Sequence, residues 1–189
     1  MRQLLKKIVI ITGYFFTAPF FLLYLVTRSR GVFAAQAQFL SIIPGKIGSY
    51  MRMAYYSMTL EKCHADGFVG FGSFFAHPEA QVGHGVYIGA FTILGMVKIG
   101  NNATIGSHVS ILSGNKQHGY KQRDVPIQEQ PREFRRISVG NNCWIGNNAV
   151  VMDNLGEQTV VAAGSVVTSA TNGYEVVGGN PAKTLKKIS

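Results

Sequence analysis

The sequence predicts a parallel β-solenoid preceded by a short, apolar helical segment. Three observations predict it: a six-residue beat of aliphatic residues, a glycine that follows them, and one uncharged apolar run near the N-terminus. The aliphatic residues fall at Val82, Ile88 and Leu94, then at Ile99, Ile105 and Ile111. They return at Val139, Ile145 and Val151, and again at Leu155, Val161 and Val167. Glycine comes next at Gly83, Gly89, Gly95, Gly100, Gly106, Gly140, Gly146 and Gly156. A small residue recurs four positions on, as at Ala103, Val109, Ala149 and Ser165. A fixed internal period decides architecture before other signals are read. A six-residue unit has room for one short strand and one tight corner, with the aliphatic side chain inward. Three units close a triangular coil, and stacked coils share one apolar column. A sandwich would instead place its turns roughly 8–12 residues apart with period-two alternation, and this beat is shorter.

The apolar run, Ile8 to Val26, has 19 uncharged residues, close to the ~20 that span a bilayer. Pro19 inside it is expected to kink or break a helix. Arg2, Lys6 and Lys7 precede the run, and Arg28 and Arg30 follow it, so charge gives it no orientation. A secretory signal with a site at Ala35-Gln36-Ala37 fits poorly. The run exceeds the ~7–15 residues of a signal core, and two arginines separate it from that site. Residues 32–60 mix apolar and basic side chains, as interfacial helices do; a cap over the open apolar end of the solenoid is equally expected. The chain therefore divides into a membrane-associated helical segment, 1–60, and a solenoid domain, 61–189, with an extruded loop at 113–136.

Ile99-Gly100-Asn101-Asn102-Ala103-Thr104 and Ile145-Gly146-Asn147-Asn148-Ala149-Val150 resemble the hexapeptide repeat of the left-handed β-helix acyltransferases. Cys143-Trp144-Ile145-Gly146 resembles that family's WIG element, and Gly178-Gly179-Asn180-Pro181-Ala182-Lys183 its C-terminal coenzyme A segment. The resemblance covers about residues 67–187 and is nearest to the bacterial O-acetyltransferases of sugars and polysaccharides. It implies a left-handed parallel β-helix, acetyl-CoA as acyl donor, a sugar or polysaccharide acceptor, and a homotrimer built through the flat solenoid faces.

From Ser113 to Arg136 the beat vanishes. Long insertions in compact folds are commonly functional, and this one carries six basic residues, Lys116, Lys121, Arg123, Arg132, Arg135 and Arg136. His118 stands near its start. Acetyl transfer to a hydroxyl needs a base, and imidazole titrates in the right range. In the resembling family a histidine at the root of this loop is that base, which implies the role for His118. A carboxylate would orient the ring; Glu133 is the first choice, with Glu129 and Asp124 open. The resemblance further implies coenzyme A contacts at Trp144, Gly146, Ala163, Gly164, Ser165, Thr168 and Lys183. Lys186 and Lys187 are further candidates for its phosphates. Where relatives often have Thr-Lys, this chain has Thr168-Ser169, which weakens one such contact.

No cysteine is placed for a covalent intermediate, so direct transfer is expected. Cys63 and Cys143 match no disulfide framework or metal spacing. His84 and His108 read as surface or inter-subunit side chains, His64 and His77 as structural. A zinc hydratase resembling the γ-class carbonic anhydrases needs three convergent histidines; only His108 and His118 stand near the loop, so no metal is expected. The net charge of +9 comes without the basic–aromatic pattern of a nucleic-acid module. It suits anionic lipid and the phosphates of coenzyme A. The expectation is an acetyl-CoA-dependent O-acetyltransferase at the cytoplasmic face of the bacterial inner membrane, acting on a lipid-linked or surface polysaccharide precursor. The alternatives are a zinc hydratase on the same fold, like the γ-class carbonic anhydrases, and a non-catalytic membrane scaffold in polysaccharide assembly.

Overall fold

The computed structural model describes the backbone of residues 2–189 and side chains from Ile10 onward. The side chains of Arg2, Lys6, Lys7 and Ile8 lie outside the described residues. Three helices come first: α1 (Arg2–Thr27), α2 (Arg30–Ser41) and α3 (Gly45–Thr59). Helix α1 runs unbroken through Pro19, although proline there cannot donate to the Phe15 carbonyl one turn back. Ser29 starts α2 by accepting the Val32 amide at 3.4 Å, an N-cap.

The rest is a left-handed parallel β-solenoid of about six turns, built on three sheets. The first coil holds β1 (Lys62–Cys63), β2 (Phe68–Val69) and β3 (Phe74–Phe75). The second holds β4 (Gln81–Val82), β5 (Tyr87–Ile88) and β6 (Ile93–Leu94). The third holds β7 (Val97–Ile99), β8 (Thr104–Ile105) and β9 (Ser110–Ile111). After the loop come β10 (Ile137–Val139), β11 (Trp144–Ile145) and β12 (Val150–Val151), then β13 (Val160–Val161) and β14 (Val166–Val167). The hairpin β15 (Glu175–Gly179) and β16 (Ala182–Lys187) closes the end and contributes the antiparallel pair.

Every aliphatic residue of the beat points inward: the twelve from Val82 to Val167 are at most 3% exposed. Register stacks them, as Ile105 on Ile145 and Ile145 on Val161. The recurrent small positions are buried too, including Ala103, Ala149, Cys143 and Ser165. They turn into the corner where a larger side chain would force the faces apart. The glycines that follow eight of the twelve have a specific cause. A Cβ on Gly146 would lie 2.5 Å from the Ala163 nitrogen of the next coil.

The first coil begins earlier than the sequence signal, because Cys63 and Phe75 stand where later coils have aliphatics. Helices α2 and α3 cover its open end. Phe33, Tyr55, Tyr56 and Phe75 form a contiguous aromatic layer, and the Phe75 amide donates to the Tyr56 hydroxyl at 3.3 Å. Helix α1 packs one face on this cap. Gly13 lies under the Tyr50 carbonyl, Tyr14 bonds Ser57 at 2.9 Å, and Thr17 and Tyr24 are buried. Its other face leaves Ile11, Phe15, Phe16, Leu22, Leu23 and Val26 exposed.

Candidate active site

The loop leaves the solenoid after β9 and returns at β10, so it springs from one edge of the prism. It is ordered by its own pairing. The Arg135 amide donates to Ser113 O at 2.9 Å, Glu133 to Lys116 O at 3.3 Å, and Gly119 to Pro131 O at 2.9 Å. The two limbs thus run antiparallel. Gln130, 4% exposed, clasps them. Its Nε2 donates to the carbonyls of Gln122 and Val125, both at 2.9 Å, and its Oε1 accepts the Gln122 amide.

Ion pairs tie the root to the coils. Arg135 Nη2 donates to Asp153 Oδ1 at 2.7 Å. Burial opposes the Asp153 charge, but the Arg135 hydrogen bond and the Asn154 amide hold its carboxyl below the ordinary value. Arg136 donates to Glu61 and to the Glu79 carbonyl. Hydrogen bonds from Arg136 and then Gln81 hold the Glu61 carboxyl low.

His118 stands exposed on the outgoing limb, and its ring makes no hydrogen bond among the described residues. Glu133 lies on the returning limb, lining a small pocket with Asn115, Lys116, Arg135 and Asp153; no hydrogen bond joins it to His118. Glu129 ends a short 3-10 turn, Ile127–Glu129, and Asp124 is exposed nearby. The one imidazole–carboxylate contact among the described residues lies elsewhere, between His84 and Asp66.

The residues assigned to coenzyme A gather at the far end of the solenoid. Trp144, 57% exposed, points outward. It lines a groove of about 650 Å³ with Val160, Val176, Leu185, Lys186 and Lys187. Beyond it lies the corner formed by Gly146 and, one coil on, Ala163, Gly164 and Ser165. In lower coils a side chain caps each amide here: Ser107 accepts from Ala90, and Asn147 from Ser107. Ala163 has no acceptor to offer, so the Asn147 N–H is unpaired among the described residues. A carbonyl-bearing ligand can take it. Ser165 is buried and accepts the Gly179 amide at 3.2 Å, a structural use. Lys183 is exposed on β16, opposite Gly178. The Lys187 ammonium is already held by the buried Glu175 carboxylate at 2.9 Å. Thr168 follows β14 on the loop edge instead.

His118 and the Gly146–Ala163 corner therefore occupy two different edges, separated by the face that carries β9, β12 and β14. Both cysteines are unsuited to nucleophilic work. Burial pushes the Cys63 thiol up to about 12 and raises that of Cys143, and only the thiolate attacks. Among the described residues no three His, Cys, Asp or Glu side chains converge on a metal position.

No family model matches the chain. It is 37% identical over 105 residues to a chloramphenicol acetyltransferase of Klebsiella aerogenes, covering 47% of this chain and 50% of that one. It is 29% identical over 96 residues to the galactoside O-acetyltransferase of Escherichia coli, covering 49% and 45%. The chain thus spans about half the length of the curated relatives it matches. A maltose O-acetyltransferase from Clostridium difficile has the same fold, with a TM-score of 0.72 at 19% identity over 87% of this chain and 89% of that one. So does a galactoside acetyltransferase in complex with coenzyme A, with a TM-score of 0.67 at 18% identity over 82% and 79%.

Proposed function

We propose, from the premise that this chain belongs to the hexapeptide-repeat left-handed β-helix acyltransferases, that it transfers acetyl from acetyl-CoA to a sugar hydroxyl at a membrane surface. The acceptor is a lipid-linked or surface polysaccharide precursor, and the setting is the cytoplasmic face of a bacterial inner membrane. One observation carries the reading: an ordered, basic loop presents a histidine at one edge of the prism, while another edge offers an unpaired amide beside an exposed tryptophan groove.

In this reading the His118 imidazole takes the proton of the acceptor hydroxyl as its oxygen attacks the thioester carbon. The tetrahedral intermediate collapses, the acetyl ester forms, and the coenzyme A thiolate leaves and takes up the proton. Transfer is direct, in keeping with one half-buried and one buried thiol. The corner at Gly146, Ala163 and Gly164 holds the pantetheine arm by backbone amides. Trp144 packs beside it, and Lys183 and Lys186 meet the phosphates as point charges. Because the two halves lie on different edges, the site is completed by a neighbour: a homotrimer sets the loop of one chain against the corner of the next. Closed rotational symmetry is the common form for such assemblies.

Helix α1 supplies the membrane contact by lying along the surface. Its window Ile10–Thr27 has mean hydropathy 1.7 and a length of ~27 Å. One face is committed to α3, which itself caps the first coil. A spanning α1 would carry that cap into hydrocarbon, whereas a helix in the interface plane buries only its open face. Phe39, Ile42 and Ile47, exposed on and beside α2 and α3, extend the apolar surface.

The test is acetyl transfer from labelled acetyl-CoA to membrane glycolipid extracts, compared with free sugars, alongside mass spectrometry of surface polysaccharide with and without the gene. Expected are label in the glycolipid and loss of one acetyl group per repeat. Absence of acetyl-CoA binding by calorimetry would overturn the reading.

A further inference from the structure

A cleft of about 530 Å³ opens where Ile10 of α1, the start of α3 and the corner of the first two coils meet. It is far in the fold from the Trp144 groove, and the transfer chemistry uses none of its side chains. Ile10, Lys46, Tyr50, His64, Asp66 and His84 are among its walls. The His64 and His84 rings lie against each other, centroids 3.4 Å apart and planes 32° off parallel. His84 Nδ1 is 3.3 Å from Asp66 Oδ2, and Asp66 Oδ1 accepts the Gly85 amide at 3.2 Å. Both Asp66 oxygens are thus engaged by the wall, and Nε2 is the remaining polar atom of the His84 ring.

The imidazole N–H groups of His64 and His84 can donate to a phosphate oxygen, and Lys46 from α3 adds a point charge of the kind that meets phosphate. Among the described residues the remaining wall includes Ile10, Ala65 and Phe68, and the adjoining turns of α1 expose Ile11 and Phe15.

We propose that this cleft binds the phosphate headgroup of an anionic amphiphile, with Lys46 as its cationic contact, His64 and His84 as imidazole donors, and Ile10 of α1 against its hydrocarbon. The lipid source rests on the in-plane reading of α1 given above; the phosphate contact itself does not. In the proposed orientation the cleft opens at headgroup depth and would hold a phosphate-bearing acceptor, or an anchoring lipid, beside the prism.

The experiment uses the full chain, with Lys46→Glu and His64→Ala/His84→Ala as variants. Calorimetry measures dihexanoyl phosphatidic acid, a soluble phosphate amphiphile, and inorganic phosphate. Co-sedimentation measures phosphatidylcholine vesicles with and without phosphatidic acid. Expected is binding of dihexanoyl phosphatidic acid, weakened by at least about tenfold in each variant at unchanged thermal midpoint, with inorganic phosphate weaker. No binding, or affinities unmoved by both variants, overturns the site. Equal affinity for inorganic phosphate overturns the amphiphile and leaves a soluble phosphate ester. If neither vesicle binds while the calorimetry holds, the membrane reading fails and the phosphate site stands.

Discussion

Arg52 Nε donates to the Val69 carbonyl at 3.1 Å, so a cation 1% exposed joins α3 to the first coil. Its Nη1 also reaches the carbonyls of Leu40, Ser41 and Ile43 at 3.0, 3.2 and 2.9 Å. These carbonyls close the C-terminal end of α2, where a cation is favoured. Gly48 makes room: a Cβ there would sit 1.9 Å from the Ile43 oxygen. Arg52→Leu strands these acceptors and should cost about 3 kcal/mol or more, read as a lower urea midpoint. Gly48→Ala should also destabilise. An unchanged midpoint in both would show that the cap is not fastened here.

His118→Ala should leave stability within about 0.5 kcal/mol, since the residue is an exposed loop position. Transfer should slow by roughly 10²–10⁴-fold, with acetyl-CoA affinity unchanged. His84→Ala is the matched comparison and should keep its turnover on a soluble acceptor. Turnover lost in His84→Ala but kept in His118→Ala would move the base to the other site.

Gln130→Ala removes the clasp between the loop limbs. The loss should be local, on the order of 1–3 kcal/mol of loop ordering, with little change in global unfolding. Faster proteolytic nicking between Gly119 and Pro131 is the expected signature, together with reduced turnover. Unaltered nicking would mean that the three backbone pairs order the limbs by themselves.

Trp144 is largely exposed, so Trp144→Ala should spare folding and weaken acetyl-CoA, seen by calorimetry. Gly146→Val should do both kinds of damage, because its side chain collides with the Ala163 backbone. If Trp144→Ala binds acetyl-CoA normally, the groove serves another partner.

Acid should loosen the loop root and the C-terminal hairpin. Hydrogen bonds from Lys187 and then Thr184 hold the Glu175 carboxyl below its ordinary value, as the arginines do for Glu61 and Asp153. Folded values below the unfolded ones, near ~4, give stability present above that range. It is lost as pH falls through the depressed folded values. From these carboxylates stability is expected to decline below about pH 4–5. Glu175→Gln should shrink the decline, and an equal decline in that variant would locate it elsewhere.

Much of this protein was legible in its sequence, for a geometric reason. In a solenoid each coil repeats the last, so one inward position per strand becomes a period, and Ile99, Ile105 and Ile145 announce their own burial. The loop was legible as the place where that period stops. Within the first coil the beat is masked, because Phe75 packs on Tyr56 of the cap, although the solenoid bound at residue 61 takes that coil in. Helix α1 passes Pro19 because packing on α3 outweighs one lost hydrogen bond. His84 reads as a surface residue until stacking sets it beside His64 and Asp66, residues 20 and 18 positions away. The edge on which His118 stands, one face away from the corner of Gly146 and Ala163, follows from closing three strands into a triangle. Sequence spacing fixes which residues turn inward; only the stacked coils decide which of the outward ones meet.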